Sequence, residues 1–212
     1  MKLRPDQYKS PELKQLERYF IINKPYNMVS QFISSDKVGL LCDLDFDFPE
    51  GTHAVGRLDN NSEGLLILTT NKKVTRLLFL AEKPHKRVYL VQVNNILSTE
   101  NLEKLRSGVP IKIKAGEVYT TPPCDVKIID EPEKLYPFAN TATEFGKHTW
   151  LVITLTEGKF RQVRKMMMAV NHRCKRLVRI SIEELKLGDL KPGEVKEMTE
   201  GDFFDKLNIE YP

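Results

Sequence analysis

An α+β fold built on a mixed, mainly antiparallel sheet is predicted by three features of this 212-residue sequence. Short runs with strand character recur at residues 18–23, 65–70, 87–93 and 148–156. Helical spacing is confined to a few segments. Strands and helices also fail to alternate regularly, which argues against a parallel βαβ arrangement.

Taken in order, residues 1–17 are polar and carry Pro5 and Pro11, the pattern of a flexible arm ahead of a folded body spanning 18–212. RYFIIN (18–23) is a compact apolar run that stops at Lys24-Pro25, where proline removes a backbone donor. Residues 52–59 lead into the polar turn Asn60-Asn61-Ser62-Glu63-Gly64 and then an apolar strand, so Asp59 is set beside a turn. Val74, Leu77 and Leu78 give residues 72–80 helical spacing, whereas 87–93 alternates as a strand does. Ser98 is suited to cap a helix through Ser107, and Gly108 to end it. Residues 120–147, with Pro122, Pro123, Pro132 and Pro137, are expected to form a surface excursion between two halves of the sheet. HTWLVITLT (148–156) has high strand propensity. FRQVRKMMMAV (160–170) projects as a helix with Val163, Met166, Met167 and Val170 on one face. Arg161, Arg164 and Lys165 fall on the opposite arc, where they would face a cleft or solvent.

Composition narrows the class. A hydrophobic fraction of 41% and a charged fraction of 29% are ordinary for a globular protein and exclude a disordered or fibrous role. No apolar run approaches the ~18 residues of a membrane span, and the first residues lack the apolar stretch of a secretory signal, so the cytoplasm is the expected location. Cys42, Cys124 and Cys174 are odd in number and lack CxxC spacing, and His172 with Cys174 does not close a tetrahedral site. Reduced thiols are expected, and no metal. The net charge of +4 is unevenly placed: residues 157–180 hold eight Lys or Arg against the single acid Glu157. A polyanion is therefore the first partner to consider.

Several chemistries fail on their own residues. GTHAVGRL (51–58) has Arg57 and Leu58 where a phosphate-binding loop needs Lys and Ser or Thr. Ser62 lacks a GxSxG frame for a nucleophile elbow. Asp59 with Glu63 remains open as the carboxylate pair of a glycosidic hydrolase. Taken alone, an Asp before Asn-Asn-Ser is more often a turn residue.

The word AVGRLDNNSEGLLILTTN (54–71) closely resembles the catalytic motif of the RsuA-type family of ribosomal RNA pseudouridine synthases. KRVYLVQV (86–93) resembles that family's tyrosine motif and EGKFRQVRKM (157–166) its arginine motif, in the same order. LVRISIEELKLGDLKPGEVKEMT (177–199) is similar to its C-terminal segment, while NKPYNMVSQF (23–32) and IIDEP (128–132) resemble members acting on large-subunit RNA. The resemblance implies the pseudouridine synthase catalytic fold, with two subdomains flanking a central cleft and no S4 RNA-binding domain ahead of it. It implies a cofactor-free isomerisation of uridine to pseudouridine in ribosomal RNA, with Asp59 acting as nucleophile or base on a flipped-out nucleotide. Arg164 matches the arginine that pairs with the aspartate and favours its ionised form. Tyr89 matches the tyrosine that stacks on the target base, and Arg57 is expected to help keep the nucleotide extruded. Lys24, Lys86, Arg87, Arg161, Lys165 and Arg179 are candidate phosphate contacts. Arg87 stands where the family has Lys, Asn171 where Gly is common, and Ser181-Ile182-Glu183 alters an Ile-Gly step. Ribosomal RNA is the expected partner of a monomer. The alternatives are a non-catalytic RNA-binding or ribosome-assembly protein on the same fold, or a uracil-releasing hydrolase using Asp59 with Glu63.

Overall fold

Side chains buried on both faces explain why the apolar runs form central strands. The computed structural model describes residues 16–79, 84–113, 116–140 and 146–210, so the expected N-terminal arm lies almost wholly outside the described residues. Strand β1 (Tyr19–Lys24) turns Tyr19 and Ile21 to one hydrophobic cluster and Phe20 and Ile22 to another. Strand β3 (Glu63–Thr69) divides in the same way, Leu65 and Ile67 against Leu66 and Leu68. With both faces covered, the period-2 signal disappears into a continuous apolar run.

Among the described residues the main sheet has nine strands. Its order is β11 (Val195–Met198), β1, β3, β9 (Cys174–Ile182), β4 (Arg87–Asn94), β8 (His148–Leu155) and β7 (Asp125–Ile129). Strand β2 (His53–Val55) joins β3, and β10 (Leu185–Lys186) joins β9. Every ladder is antiparallel except β3 with β9, which runs parallel over only Glu63 opposite Val178 and Gly64 opposite Arg179. This short seam joins the two halves of the sheet. Gly64 has a φ of +96°, and a Cβ there would lie 2.3 Å from the Arg179 carbonyl oxygen. Only glycine permits that approach without moving a strand.

Helices cover each half. In α4 (Glu200–Leu207), Phe203, Phe204 and Leu207 pack beside Tyr19, with Phe203 and Phe204 ring centroids 4.7 and 5.4 Å from the Tyr19 ring. Helix α1 (Val74–Phe79) adds Val74 and Leu78 to the same cluster. Helix α2 (Thr99–Ser107) starts as expected at Ser98, whose hydroxyl accepts from the Asn101 amide, and ends at Gly108. Helix α3 (Gln162–Ala169) buries Val163, Met166 and Met167 against Leu151, Ile153 and Leu177. A separate two-stranded ladder, β5 (Pro110–Lys112) with β6 (Val118–Thr120), lies beside it. No described helix is long and apolar enough to cross a membrane.

The expectation for residues 120–147 needs correction. Strand β7 forms an edge of the sheet inside that segment, and Tyr136 and Ala139 are core residues. The prolines lie outside the ladder: Pro122 and Pro123 precede β7, and Pro132 opens a 3-10 turn after it. An edge strand flanked by prolines carries the composition of a loop.

Candidate active site

Asp59 stands in the connection between β2 and β3, a few residues before the parallel seam. The turn closes through the Ser62 amide, which donates to the Asp59 carbonyl at 3.0 Å. Upstream, Ser30 Oγ accepts from the Leu58 amide and donates to its carbonyl oxygen, both at 3.0 Å. Downstream, Asn60 Nδ2 donates to Asn27 Oδ1, and Arg164 Nη2 donates to the Asn61 carbonyl oxygen and to Ser62 Oγ. The chain on both sides of the carboxylate is thus tied to two other segments, residues 27–30 and α3, which is how a loop residue acquires a fixed position.

Asp59 faces a cleft of about 770 Å³, whose walls also carry Arg57, Tyr89, Phe160, Arg161 and Arg179. Tyr89 is half-buried on β4, across the ladder from Arg179, beside a register irregularity between Val88 and Tyr89. Irregular registers of this kind re-aim side chains next to sites. The cation facing the carboxylate is Arg161, with Nη1 4.0 Å from Asp59 Oδ2. Arg161 precedes α3 in left-handed backbone, φ 55° and ψ 33°, an uncommon conformation for a residue with a Cβ.

The anticipated pairing of Arg164 with Asp59 is therefore corrected. Arg164 is 9% exposed, and its guanidinium donates to the carbonyl oxygens of Asn61 and Cys174. It holds the turn from behind while Arg161 meets the carboxylate. Projection onto a helix placed both arginines on one arc, but Arg161 lies outside the helix and does not follow its rotation.

Three further candidates are removed from the phosphate contacts by burial. Arg179 is 3% exposed and donates from Nε to the Leu65 carbonyl oxygen. Arg87 is 7% exposed and lines the cleft with its guanidinium 4.9 Å from the Phe79 ring centroid. Burial lowers the pKa of both. Lys24 is fully buried, and Nζ donates to the carbonyl oxygens of Pro25, Met28 and Asn60. Arg57, Lys86 and Arg161 are exposed and Lys165 is partly so, which leaves these four able to reach a phosphate.

Lys24 yields a test of its own. Burial brings its pKa down to about 8, against an upward pull from Glu63 and Asp59. Below pH 8 the folded and unfolded chains both carry the proton, and folding bears the full cost of burying it. Between pH 8 and about 10.5 only the unfolded chain retains it, so the penalty is relieved as pH rises. The unfolding free energy of wild type relative to Lys24→Met should increase across that interval by up to about 3 kcal/mol, measured by urea melts. A flat difference would show that the ammonium stays charged in the fold.

Glu63 does not share the cleft. Its two carboxylate oxygens accept from Arg176 Nε and Nη2, each at 2.8 Å, and it is absent from the cleft wall. The second carboxylate required by the hydrolase reading is thereby occupied elsewhere. Residues that sequence alone did not bring to the site include Ser30, Asn27 and the Glu157–Gln162 pair, whose Oε1 and Nε2 are 2.6 Å apart. Their partners are distant in sequence or lie in turns without periodicity, apart from Gln162, which opens α3 within the arginine motif.

A turn-borne aspartate and a strand-borne tyrosine on one cleft, at the seam of a mixed sheet, define a class of enzyme. Residues 18–169 match the RNA pseudouridylate synthase family. The chain belongs to this family and is an RNA pseudouridine synthase of the RsuA type, an isomerase. It is 38% identical over 190 residues to ribosomal large subunit pseudouridine synthase E of Vibrio parahaemolyticus, covering 87% of this chain and 75% of that protein. It is 34% identical over 175 residues to the protein of the same name from Xanthomonas axonopodis pv. citri, covering 81% and 89%. Its fold is similar to a crystal structure of pseudouridylate synthase, with a TM-score of 0.72, 24% identity, and coverage of 91% of this chain and 74% of the other.

Proposed function

We propose that this enzyme isomerises a uridine of large-subunit ribosomal RNA in the cytoplasm, with Asp59 as the acting carboxylate. The observation that carries the reading is the shared cleft: Asp59 and Tyr89 line it together, and Arg161 reaches to 4.0 Å from the carboxylate. The large-subunit target is supported by the two relatives named for that substrate.

The chemistry follows from what the reaction must do. The N1–C1′ bond breaks, the uracil turns, and a C5–C1′ bond forms. The C5 proton then leaves to water while N1 gains one, so the chain stays intact. Asp59 acts on the flipped nucleotide as nucleophile or base, and must be ionised and close to it. Arg161 faces the carboxylate at 4.0 Å, and Arg164 keeps the turn in place. Tyr89 stacks on the uracil through the move, and Arg57 at the cleft helps hold the nucleotide out of its stack. Arg57, Lys86, Arg161 and Lys165 meet flanking phosphates.

Unmodified large-subunit RNA tritiated at uridine C5 tests this directly. Tritium should be released as water by the wild-type enzyme, at a site that maps to one uridine. Release from small-subunit RNA alone would overturn the target, and abasic product with free uracil would overturn the reaction. Lys86→Ala should weaken RNA binding and reduce the salt slope of log K by roughly one unit. An unchanged slope removes Lys86 from the phosphate contacts.

A further inference from the structure

Besides Phe79, whose ring carries the Arg87 guanidinium, the cleft holds a second aromatic ring that the reaction above does not use. Phe160 is 67% exposed, yet it lines the same cleft as Asp59 and Tyr89. Its loop is braced. Glu157 accepts from Gln162 Nε2 through Oε1 and from the Tyr119 hydroxyl through Oε2, and Gln162 Oε1 accepts from the Lys159 amide at 2.9 Å. Lys159 Nζ lies 4.9 Å from the Tyr119 ring centroid, which fastens the loop further to β6. The ring is therefore presented by a held segment. Immediately after it, Arg161 takes its left-handed turn toward Asp59, which separates the two side chains between the cleft lip and the carboxylate.

The surroundings of this ring select its partner. Lys165 Nζ lies 5.2 Å from the Phe160 ring centroid, and Lys159 and Arg161 are its chain neighbours. An aromatic face among three cations is a poor match for an apolar protein surface. It is a good match for a nucleotide, whose base offers a π-face and whose phosphate offers charge.

Resting on the reading that the substrate is RNA, we infer that Phe160 and Lys165 form a stacking platform for an unpaired base next to the target uridine. Tyr89 handles the reacting base; Phe160 fixes its neighbour and thereby the register of the strand across the cleft. Every base has a face that can stack, so the platform selects for single-stranded character beside the target more than for a particular letter. Lys165 adds a phosphate contact to the same nucleotide.

Two variants test the platform. Phe160→Leu keeps an apolar side chain but removes the ring, and should raise KM for ribosomal RNA by roughly 5- to 100-fold with kcat little changed. Phe160→Tyr keeps the ring and should hold KM within about twofold of wild type. Equal KM for wild type and the Leu variant overturns the platform. Phe160→Trp supplies a readout independent of turnover, because the chain's one tryptophan, Trp150, is only 5% exposed. Emission from the added indole should be quenched by oligouridylate and little affected by duplex RNA. No quenching by oligouridylate, or equal quenching by the duplex, also overturns the proposal. The wild-type tritium assay separates the two readings: no release by wild type counts against the proposed reaction, whereas release with an unaltered Leu variant counts against the platform alone.

Discussion

Asp59→Asn is expected to lower tritium release from C5-labelled ribosomal RNA by on the order of 10⁴-fold or more, while RNA affinity stays within a few-fold of wild type. The amide has nearly the shape of the carboxylate but neither its charge nor its basicity. The turn does not rely on the Asp59 side chain: Ser62 bonds to the Asp59 carbonyl oxygen, Ser30 secures Leu58, and Arg164 holds Asn61. The side chain is 27% exposed and faces Arg161 at 4.0 Å, so the substitution removes charge from the cleft and leaves its frame standing. Melting temperature should accordingly move by no more than a few degrees. Arg161→Ala should act through the same carboxylate with a smaller loss, roughly 10- to 1000-fold, because the carboxylate keeps its identity and loses only a partner. More than about 1% of wild-type turnover in a homogeneous Asn variant would remove Asp59 from the chemistry.

The sequence is legible where cause and effect are local. Ser98 and Gly108 announce the two ends of α2 because capping depends on neighbours within a turn. Residues 87–93 and 148–156 read as strands and pair with each other along their length as β4 and β8. The family words placed Asp59 and Tyr89 in matching motifs, and the fold brings both to one cleft. It falls short where charge is settled at long range. Lys24 looks like a surface cation until carbonyl oxygens from Pro25, Met28 and Asn60 converge on it. The basic run in 174–182 conceals β9, because Arg176 finds its carboxylate 113 residues away and Arg179 donates to a carbonyl oxygen 114 residues away. Such cations belong to the interior, and composition alone assigns them to the surface.

Glu63→Ala should produce the largest loss of stability. Glu63 and Arg176 side chains are 7% and 12% exposed, and they meet in a bidentate pair with both distances 2.8 Å. Arg176 also donates from Nη1 to the carbonyl oxygens of Phe138 and Ala139, and its guanidinium lies 5.6 Å from the Tyr136 ring centroid. The pair therefore fastens the 136–139 segment to the start of β3, directly behind the Asp59 turn. Truncating Glu63 takes the bidentate carboxylate away from a largely buried guanidinium, at a cost of about 3–5 kcal/mol. It also removes one of the two anions that support the charge on buried Lys24, so the two penalties share a cause. For a chain of this size the fall in Tm should be roughly 6–20 °C by calorimetry. Replacing both partners, Glu63→Ala with Arg176→Met, should recover part of that loss, since an apolar pair leaves no unmatched charge. Turnover assayed well below the melt should fall in the single variant, because the turn that aims Asp59 is built on this seam. A Tm within about 2 °C of wild type for Glu63→Ala would mean that solvent reaches Arg176 readily and that the seam is held by backbone pairing alone.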